Sequence, residues 1–190
     1  ILTPLDDRPD GAETLDRALL VARRFDAHVR VLHVVRSPLG SMNRMSGVPS
    51  SQREEVAAHA RRDARATADR IRATFEARCE HHGVARRDAP GAEGASAEWV
   101  ESEGDVTESL VCHGRLSDVV VMARPREPAA DEIFRAPAGR NLEAVLLGTG
   151  RPLLIIPPES ESIVPAGPVR RVAIGWNESQ EAARALSLAM

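Results

Sequence analysis

The stretch that decides the fold is SDVVVMARPREPAADEIFRAPAGRNLEAVLLGTGRPLLIIPP, residues 117–158. Two short apolar runs, 119–122 and 153–156, stand near its ends, and a helix-length segment, 139–147, lies between them. Continuous Val, Ile and Leu runs bounded by turn residues are typical of strands buried on both faces, as in parallel sheets covered by helices. Such sheets bind ligands beyond the carboxyl ends of their strands. We therefore expect any small-molecule site beside the loop that follows the first run.

The rest of the chain continues this alternation of strands and helices. Residues 1–5 and 28–35 are predicted strands, and apolar side chains recur between them at the 3.6-residue spacing of a helix. A long helix is predicted from residue 51 to about 82, and a further strand at 97–102. The order of elements predicts a doubly wound α/β domain, with a five-stranded parallel sheet and helices on both faces.

Three helix starts carry residues suited to capping. Asp10 with Glu13, and Ser51 with Glu54, have the spacing of a capping box. Asp105 is predicted to cap a short helix that ends near residue 114.

Composition excludes several classes of function. The chain has 190 residues and a net charge of −3, so it has no basic excess for nucleic acid. It also lacks the run of about 20 apolar residues that a membrane helix needs. All 25 basic residues are Arg, which excludes a Walker phosphate loop and Schiff-base catalysis by lysine. Two cysteines do not make a disulfide scaffold, so we expect a cytoplasmic protein.

Side chains that could hold a metal occur only in fragments. Cys79 with His82 and Cys112 with His113 lack the paired spacing of a zinc site. Asp6, which follows the first strand beside a second aspartate, is expected to accept hydrogen bonds and not to bind Mg²⁺. We therefore predict no metal site.

The C-terminal part repeats the sequence pattern with which the domain begins. Residues 172–176 are similar to residues 1–5, and Arg-Ala-Leu at 184–186 repeats Arg-Ala-Leu at 17–19. We expect one α/β domain over residues 1–158, a linker over 159–168, and the first strand and helix of an incomplete second copy over 169–190.

Four stretches together resemble the universal stress protein family. They are ILTPLDD at 1–7, RALLVARRFDAHVRVLHVV at 17–35, SDVVVMARP at 117–125 and RPLLIIPP at 151–158. The restart near residue 172 resembles the tandem, two-copy members. The resemblance implies a Rossmann-like five-stranded parallel sheet and a role in stress response. In many members the crevice holds ATP or AMP, where an aspartate of strand 1 and a valine of strand 2 hold the adenosine. Asp6 and Val34 match these positions.

The family's phosphate-binding glycine pattern, G-x2-G-x9-G-[ST], is degenerate here. Ala123 and Arg126 stand at its first two glycines, Gly139 at the third, and Arg140 at the Ser or Thr position. Glycines let backbone N–H groups approach phosphate oxygens, and Pro125 removes one such donor.

The predicted helix start at Gly139 retains free N–H groups and the positive end of a helix dipole. Arg135 and Arg140 flank it and could clamp a small anionic ligand, or pair with Glu132 and Glu143 instead.

We therefore expect a stress-associated regulatory or partner-binding protein that has no catalytic residues and no required cofactor. Its expected partner is a second copy of the domain, as a pseudo-dimer within one chain or as a homodimer. The alternative is an ATP- or AMP-binding domain, with weak ATP hydrolysis, that uses the crevice. A third hypothesis is an α/β module that binds a non-nucleotide ligand in the same crevice.

Overall fold

The computed structural model describes residues 1–35, 50–91, 93–125, 138–157 and 173–189. Strands and helices alternate along these residues, and the chain divides into two units, Ile1–Ile156 and Pro157–Met190. The elements are β1 (Leu2–Pro4), α1 (Gly11–Phe25), β2 (His28–Val35), α2 (Ser50–His82), β3 (Ala85–Arg86), β4 (Ser96–Glu103), α3 (Val106–Arg115), β5 (Val120–Ala123), α4 (Ala138–Gly148), β6 (Leu153–Ile156) and α5 (Gln180–Ala189).

The strands of the first unit form one sheet in the order β3-β4-β2-β1-β5-β6, and every pair of neighbours is parallel. The predicted α/β class and parallel sheet are confirmed. The predicted count of five strands is wrong, because the described residues form six. The additional strand, β3, contains two exposed residues, Ala85 and Arg86, which pair with Ser96 and Ala97. Gly83, whose φ of +62° suits a glycine, ends α2 and turns the chain towards the edge of the sheet.

Helices cover both faces of the sheet, and each face has its own core. On the α1/α2 face, Leu15 and Leu19 of α1 and Phe75 of α2 pack against Val29 and Val31 of β2. On the α3/α4 face, the core consists of six buried side chains: Leu2, Leu32, Leu110, Val120, Met122 and Val145. Successive residues of β2 alternate between the two faces, as the pleat of a strand requires.

The helix caps differ between α1 and α3. Asp105 is extended, and its Oδ1 accepts a hydrogen bond from the backbone N–H of Glu108 at 2.9 Å, as predicted. The capping box predicted at Asp10 is wrong: its backbone is helical, with φ −83° and ψ −8°, and its side chain makes no capping hydrogen bond. The Thr14 hydroxyl instead donates to the Asp10 carbonyl oxygen at 2.8 Å. The side chain of Ser51 lies outside the described residues.

The second unit contains one regular element in its described residues, helix α5. The Ser179 hydroxyl accepts a hydrogen bond from the Ala182 N–H at 3.1 Å at the start of this helix. Residues 173–176, which were predicted to form a strand, form none, and residue 172 lies outside the described residues. A strand needs a neighbour for its backbone hydrogen bonds, and these residues pair with none of the described strands. The part of the chain that the structure describes therefore does not show a second copy of the domain.

Among the helices of the described residues, none is both long and apolar enough to cross a membrane.

Candidate functional site

A crevice of about 320 Å³ lies at the carboxyl ends of β1 and β2. Helix α2 forms one wall, and the first residue of α3, Val106, contributes to another. Its other lining residues are Pro4, Leu5, Asp6, Asp7, Arg8, Leu32, His33, Val34, Val35, Asp63, Ala64, Thr67 and Ile71. The position agrees with the rule that parallel α/β sheets bind ligands beyond the carboxyl ends of their strands.

Asp6 stands at the mouth of the crevice, just after β1, and is held by Arg8. The Arg8 backbone N–H donates to Asp6 Oδ1 at 3.1 Å, and the guanidinium Nε lies 3.2 Å from Oδ2. Partial burial raises the pKa of Asp6 above its usual value, while the charge of Arg8 opposes the shift. Because 47% of the Asp6 side chain is exposed, solvent screens both effects. The carboxylate can therefore accept hydrogen bonds from a ligand.

Val34 lies near the carboxyl end of β2 and lines the same crevice as Asp6. Its half-buried side chain packs against the α3/α4 core, as does that of Val106. The structure thus brings together the two residues that the resemblance assigned to adenosine. Their role in binding stays a prediction.

Those residues assigned to the phosphates that the structure describes do not line the crevice. Ala123 ends β5 and pairs with Ile156, and it is not among the residues that line the crevice. Gly139 and Arg140 are exposed in the first turn of α4. A Cβ built on Gly139 would meet no described atom within 4 Å, so packing does not require glycine there. Arg126 and Arg135 lie outside the described residues.

The first turn of α4 is fixed to the first turn of α3. Thr107 donates a hydrogen bond from its hydroxyl to Oδ1 of the buried Asn141 at 2.8 Å. This contact holds the exposed N–H groups near Gly139 in a defined place. The sequence offered no pattern that linked Thr107 to Asn141.

His33 is a crevice residue that the sequence patterns did not identify. Its side chain is 7% exposed, its Nδ1 lies 3.0 Å from the Leu5 carbonyl oxygen, and its ring stacks on Trp99. One signal was available in the sequence, since a histidine interrupts the apolar run of β2 at an inward-facing position. That pattern does not distinguish a histidine of the core from one that contacts a ligand.

The lining of the crevice is acidic. Asp6, Asp7 and Asp63 contribute three carboxylates, and Arg8 contributes one guanidinium. His59 lies 3.3 Å from Asp63, on the same face of α2. The excess of negative charge in the lining favours hydrogen-bond donors and repels phosphate. The crevice therefore fits the uncharged end of a ligand better than an anionic end.

A second cavity, of about 520 Å³, lies near the β3 edge of the sheet and is lined by residues of α2, β3 and β4. Arg72, Arg86 and Arg87 line it, but so do Glu76, Asp88 and Glu98. Glu76 forms ion pairs with Arg72 at 3.4 Å and with Arg86 at 3.2 Å. The charges in this cavity balance, and it shares no lining residue with the crevice.

The two Cys–His fragments lie on different faces of the sheet. Cys79 is buried in the α1/α2 core, and burial raises the pKa of its thiol to about 11. His82 Nε2 lies 2.9 Å from Asp16 Oδ1, and so contacts α1. Cys112 is exposed on α3, which covers the other face. These side chains cannot converge on one ion.

Comparisons with known proteins agree with the fold. The family model described as "Universal stress protein family" matches residues 1–157. The universal stress protein UspA from Lactobacillus plantarum is 15% identical over 82% of this chain and 95% of its own, with a TM-score of 0.54. A universal stress family protein from Burkholderia pseudomallei is 21% identical over 83% of this chain and 95% of its own, with a TM-score of 0.49.

A universal stress protein in complex with cAMP is 16% identical over 82% of this chain and 95% of its own, with a TM-score of 0.47. No curated protein sequence matches the chain significantly. The family model spans most of the chain, and the chain therefore belongs to the universal stress protein family.

Proposed function

We propose that this protein is a non-enzymatic regulatory protein of the universal stress type that acts by binding a partner. The observation that carries the proposal is the exposed apolar edge at β6. Leu154 is 38% exposed and Ile155 is 42% exposed, although adjacent residues of a strand point to opposite faces. An outer strand that is apolar on both faces is a ready template for pairing with another chain.

The partner that this edge fits best is a second copy of the same domain. Strand β6 is the last strand in the sheet order, so its outer backbone edge can extend the sheet of an identical neighbour. Leu147, on the helix before β6, is 76% exposed and adds apolar surface. The copy belongs either to the same chain, as a pseudo-dimer, or to a second chain, as a homodimer.

We extend this proposal to the domain organisation, with the first copy over residues 1–158, a linker over 159–168 and the start of a second copy over 169–190. Helix α5 supports it, because it carries the Arg-Ala-Leu sequence that α1 also carries. We further propose a cytoplasmic location, in keeping with two free cysteines, Cys79 and Cys112.

Sedimentation analysis of the 190-residue chain tests partner binding. We expect dimers at micromolar concentration, and monomers for Ile155→Lys, because lysine on an edge strand blocks pairing. The matched control is Val56→Glu, which places a charge at an apolar position of α2 that is 47% exposed. A monomeric wild-type chain would contradict the homodimer, and a dimer that persists in Ile155→Lys would contradict the role of β6 in pairing.

A second candidate function is binding of an adenine nucleotide, without turnover, by its adenosine end. Asp6 and Val34 favour it because they line one crevice, whose volume of about 320 Å³ is at the small end of ligand pockets. The acidic lining suits the base and ribose, which offer N–H and O–H donors. The phosphates would then point out of the crevice, towards solvent or the start of α4.

Isothermal titration with adenosine, AMP and ATP tests this second function. We expect all three to bind, and Asp6→Asn to weaken each about tenfold or more, as expected when a hydrogen bond to a charged acceptor is lost. Asp69→Asn, an exposed carboxylate of α2 outside the crevice lining, is the control. The absence of binding at millimolar adenosine and AMP would remove this candidate, and release of phosphate from ATP would show that the site is an enzyme.

A further inference from the structure

We propose that His33 selects the ligand of the crevice, by accepting a hydrogen bond at Nε2 from an amino group of the ligand. The ligand class that satisfies it is a 6-aminopurine, in preference to a purine with oxygen or hydrogen at that position. The inference rests on the proposed nucleotide site and names the residue that gives this site its specificity.

The position of His33 is the first step. It lies in β2 between Leu32 and Val34, and its side chain faces α2 while lining the crevice. Only 7% of the residue is exposed, so a polar ring is held at the inner wall of the site. A buried polar group is costly unless it forms hydrogen bonds. A ligand is the natural source of a bond on the crevice side.

The Leu5 carbonyl determines which nitrogen of the ring is an acceptor. Nδ1 of His33 lies 3.0 Å from the Leu5 carbonyl oxygen, and a carbonyl oxygen can only accept. Nδ1 must therefore carry a proton and donate it. In the neutral imidazole, Nε2 then carries the lone pair, on the edge of the ring away from Leu5.

The orientation of the ring is fixed by stacking. The ring of His33 lies on Trp99 of β4, with centroids 5.6 Å apart and planes 17° apart. Trp99 is itself held in place. Its Nε1 donates a hydrogen bond to Glu101 Oε1 at 2.9 Å, and the ring of Phe75 packs against it with the two ring centroids 5.6 Å apart. A group fixed in this way discriminates between ligands because it cannot turn to offer a donor.

The rest of the lining points to the same ligand chemistry. Asp6, Asp7 and Asp63 are acceptors when ionised, and Leu5 and Ile71 are apolar. A planar apolar ring with an N–H donor on its edge meets both requirements. A purine that presents an oxygen to Nε2 would oppose two lone pairs, and such mismatches are rejected strongly in a dry site.

The test compares three purine 5′-monophosphates: AMP has an amino group at position 6, IMP has an oxygen there together with a proton on N1, and purine riboside 5′-monophosphate has hydrogen there. We expect wild-type protein to bind AMP about tenfold more tightly than either of the others, the ratio that one hydrogen bond commonly gives. Equal binding of AMP and purine riboside 5′-monophosphate would overturn the inference without any variant.

Two substitutions separate the two nitrogens of the ring. In His33→Asn the side-chain amide can still donate to the Leu5 carbonyl, but nothing replaces Nε2. We expect AMP binding to fall about tenfold, with IMP and purine riboside 5′-monophosphate changed less than twofold. In His33→Gln the longer amide places a carbonyl oxygen near the former Nε2, and we expect part of the AMP preference to remain.

Two further variants distinguish a failure of the role proposed for His33 from a failure of the nucleotide site itself. Asp6→Asn should weaken all three probes by the same factor, because it does not contact position 6. His81→Asn, at an exposed position in the last turn of α2, should change nothing. Binding with an AMP preference that persists in folded His33→Asn overturns only the role of His33. Binding of none of the three nucleotides by wild-type protein overturns the nucleotide site together with it.

Discussion

Two histidines of the same strand, His28 and His33, have opposite environments. His33, near the carboxyl end of β2, faces the α1/α2 side, with one nitrogen bound to a carbonyl and its ring stacked on an indole. His28, at the amino end, belongs to a group of charged side chains on the α3/α4 side. Its Nδ1 lies 2.8 Å from the Ser96 hydroxyl, and its buried Nε2 has no hydrogen-bond partner among the residues that the structure describes.

The charged group around His28 is centred on Glu98. One carboxylate oxygen of Glu98 is contacted by Arg30 Nε at 2.6 Å and lies 3.5 Å from His28 Nε2. Burial lowers the pKa of His113, which lies on α3, and the charges of Arg30 and Glu98 also act on it. The Nδ1 of His113 is also buried and has no hydrogen-bond partner in the described part of the chain. Within the described residues, the α3/α4 face thus contains an ion cluster in which two imidazole nitrogens lack a hydrogen bond.

The difference shows how one strand serves two purposes. The α1/α2 face is a dense apolar core, and it can hold a polar ring rigidly at the wall of the crevice. The α3/α4 face has a smaller apolar core. Near the amino ends of the strands it carries the charged group around Glu98, in which Arg30 and His28 share one carboxylate oxygen. We therefore expect changes on the first face to act through packing, and changes on the second to act through charge.

The largest effect should follow from breaking the packing of the first face. Phe75 is 2% exposed and contacts Trp99, which supports His33. We expect Phe75→Ala to reduce the free energy of unfolding by about 3–5 kcal/mol, the usual cost of deleting a buried phenylalanine side chain. Urea denaturation measures it, with Leu116→Ala, at a position 76% exposed, as the control. A loss below about 1 kcal/mol would show that this core tolerates a cavity.

The second largest effect should come from removing the charge of Glu98. Glu98→Gln keeps the shape of the side chain but leaves Arg30 without a charged partner, and we expect a loss of about 2 kcal/mol. Glu103→Gln, an exposed carboxylate at the end of the same strand, should change stability by less than about 0.5 kcal/mol. If Glu98→Gln lowers the free energy of unfolding as little as Glu103→Gln does, the cluster contributes nothing to stability.

The sequence alone was sufficient to predict those elements of the fold that depend on local patterns. The run Leu153–Ile156 forms a strand at the predicted residues, because four consecutive apolar residues between prolines leave few alternatives. Strand β3 could not be predicted, because its two exposed residues are strand only by pairing with β4. Their side chains carry no apolar signal, and the pairing depends on where Gly83 directs the chain.

The candidate site was predictable only in part, for the same reason. Asp6 follows β1 and Val34 lies near the end of β2, and resemblance alone assigned them to one place. His33 depends on Leu5, 28 residues away, and on Trp99 in a strand that the sequence does not place beside β2. The contact between His28 and Ser96 joins residues 68 apart. Such convergence is set by sheet order, which short patterns do not encode.

A smaller effect should distinguish the two predicted helix caps. Asp105→Ala removes a hydrogen bond to the Glu108 N–H at the start of α3, and we expect a loss of about 1 kcal/mol. Asp10→Ala removes no capping bond and should cost less than about 0.5 kcal/mol. Thermal unfolding of both variants provides the measurement. The reverse order would mean that the Asp10 carboxylate caps α1 in solution.

The smallest effect concerns the pH dependence of the α3/α4 face. Burial lowers the pKa of His28 and of His113, the charge of Arg30 adds to both shifts, and Glu98 opposes them. A lowered pKa means that the unfolded chain binds more protons than the folded one, so stability rises with pH. The contribution is complete above the unfolded value of about 6.5 and is lost as the pH falls through it towards the folded value.

Urea denaturation between pH 7.5 and pH 5 should therefore show a smaller loss of stability in the double variant His28→Asn, His113→Asn than in the wild type. Asparagine can keep the contact with Ser96 but cannot take up a proton in this range. Glu98→Gln should enlarge the loss, because it removes the carboxylate that opposes both shifts. If all three proteins lose stability equally over this range, carboxylates elsewhere control the pH dependence, and the unsatisfied nitrogens of His28 and His113 have no part in it.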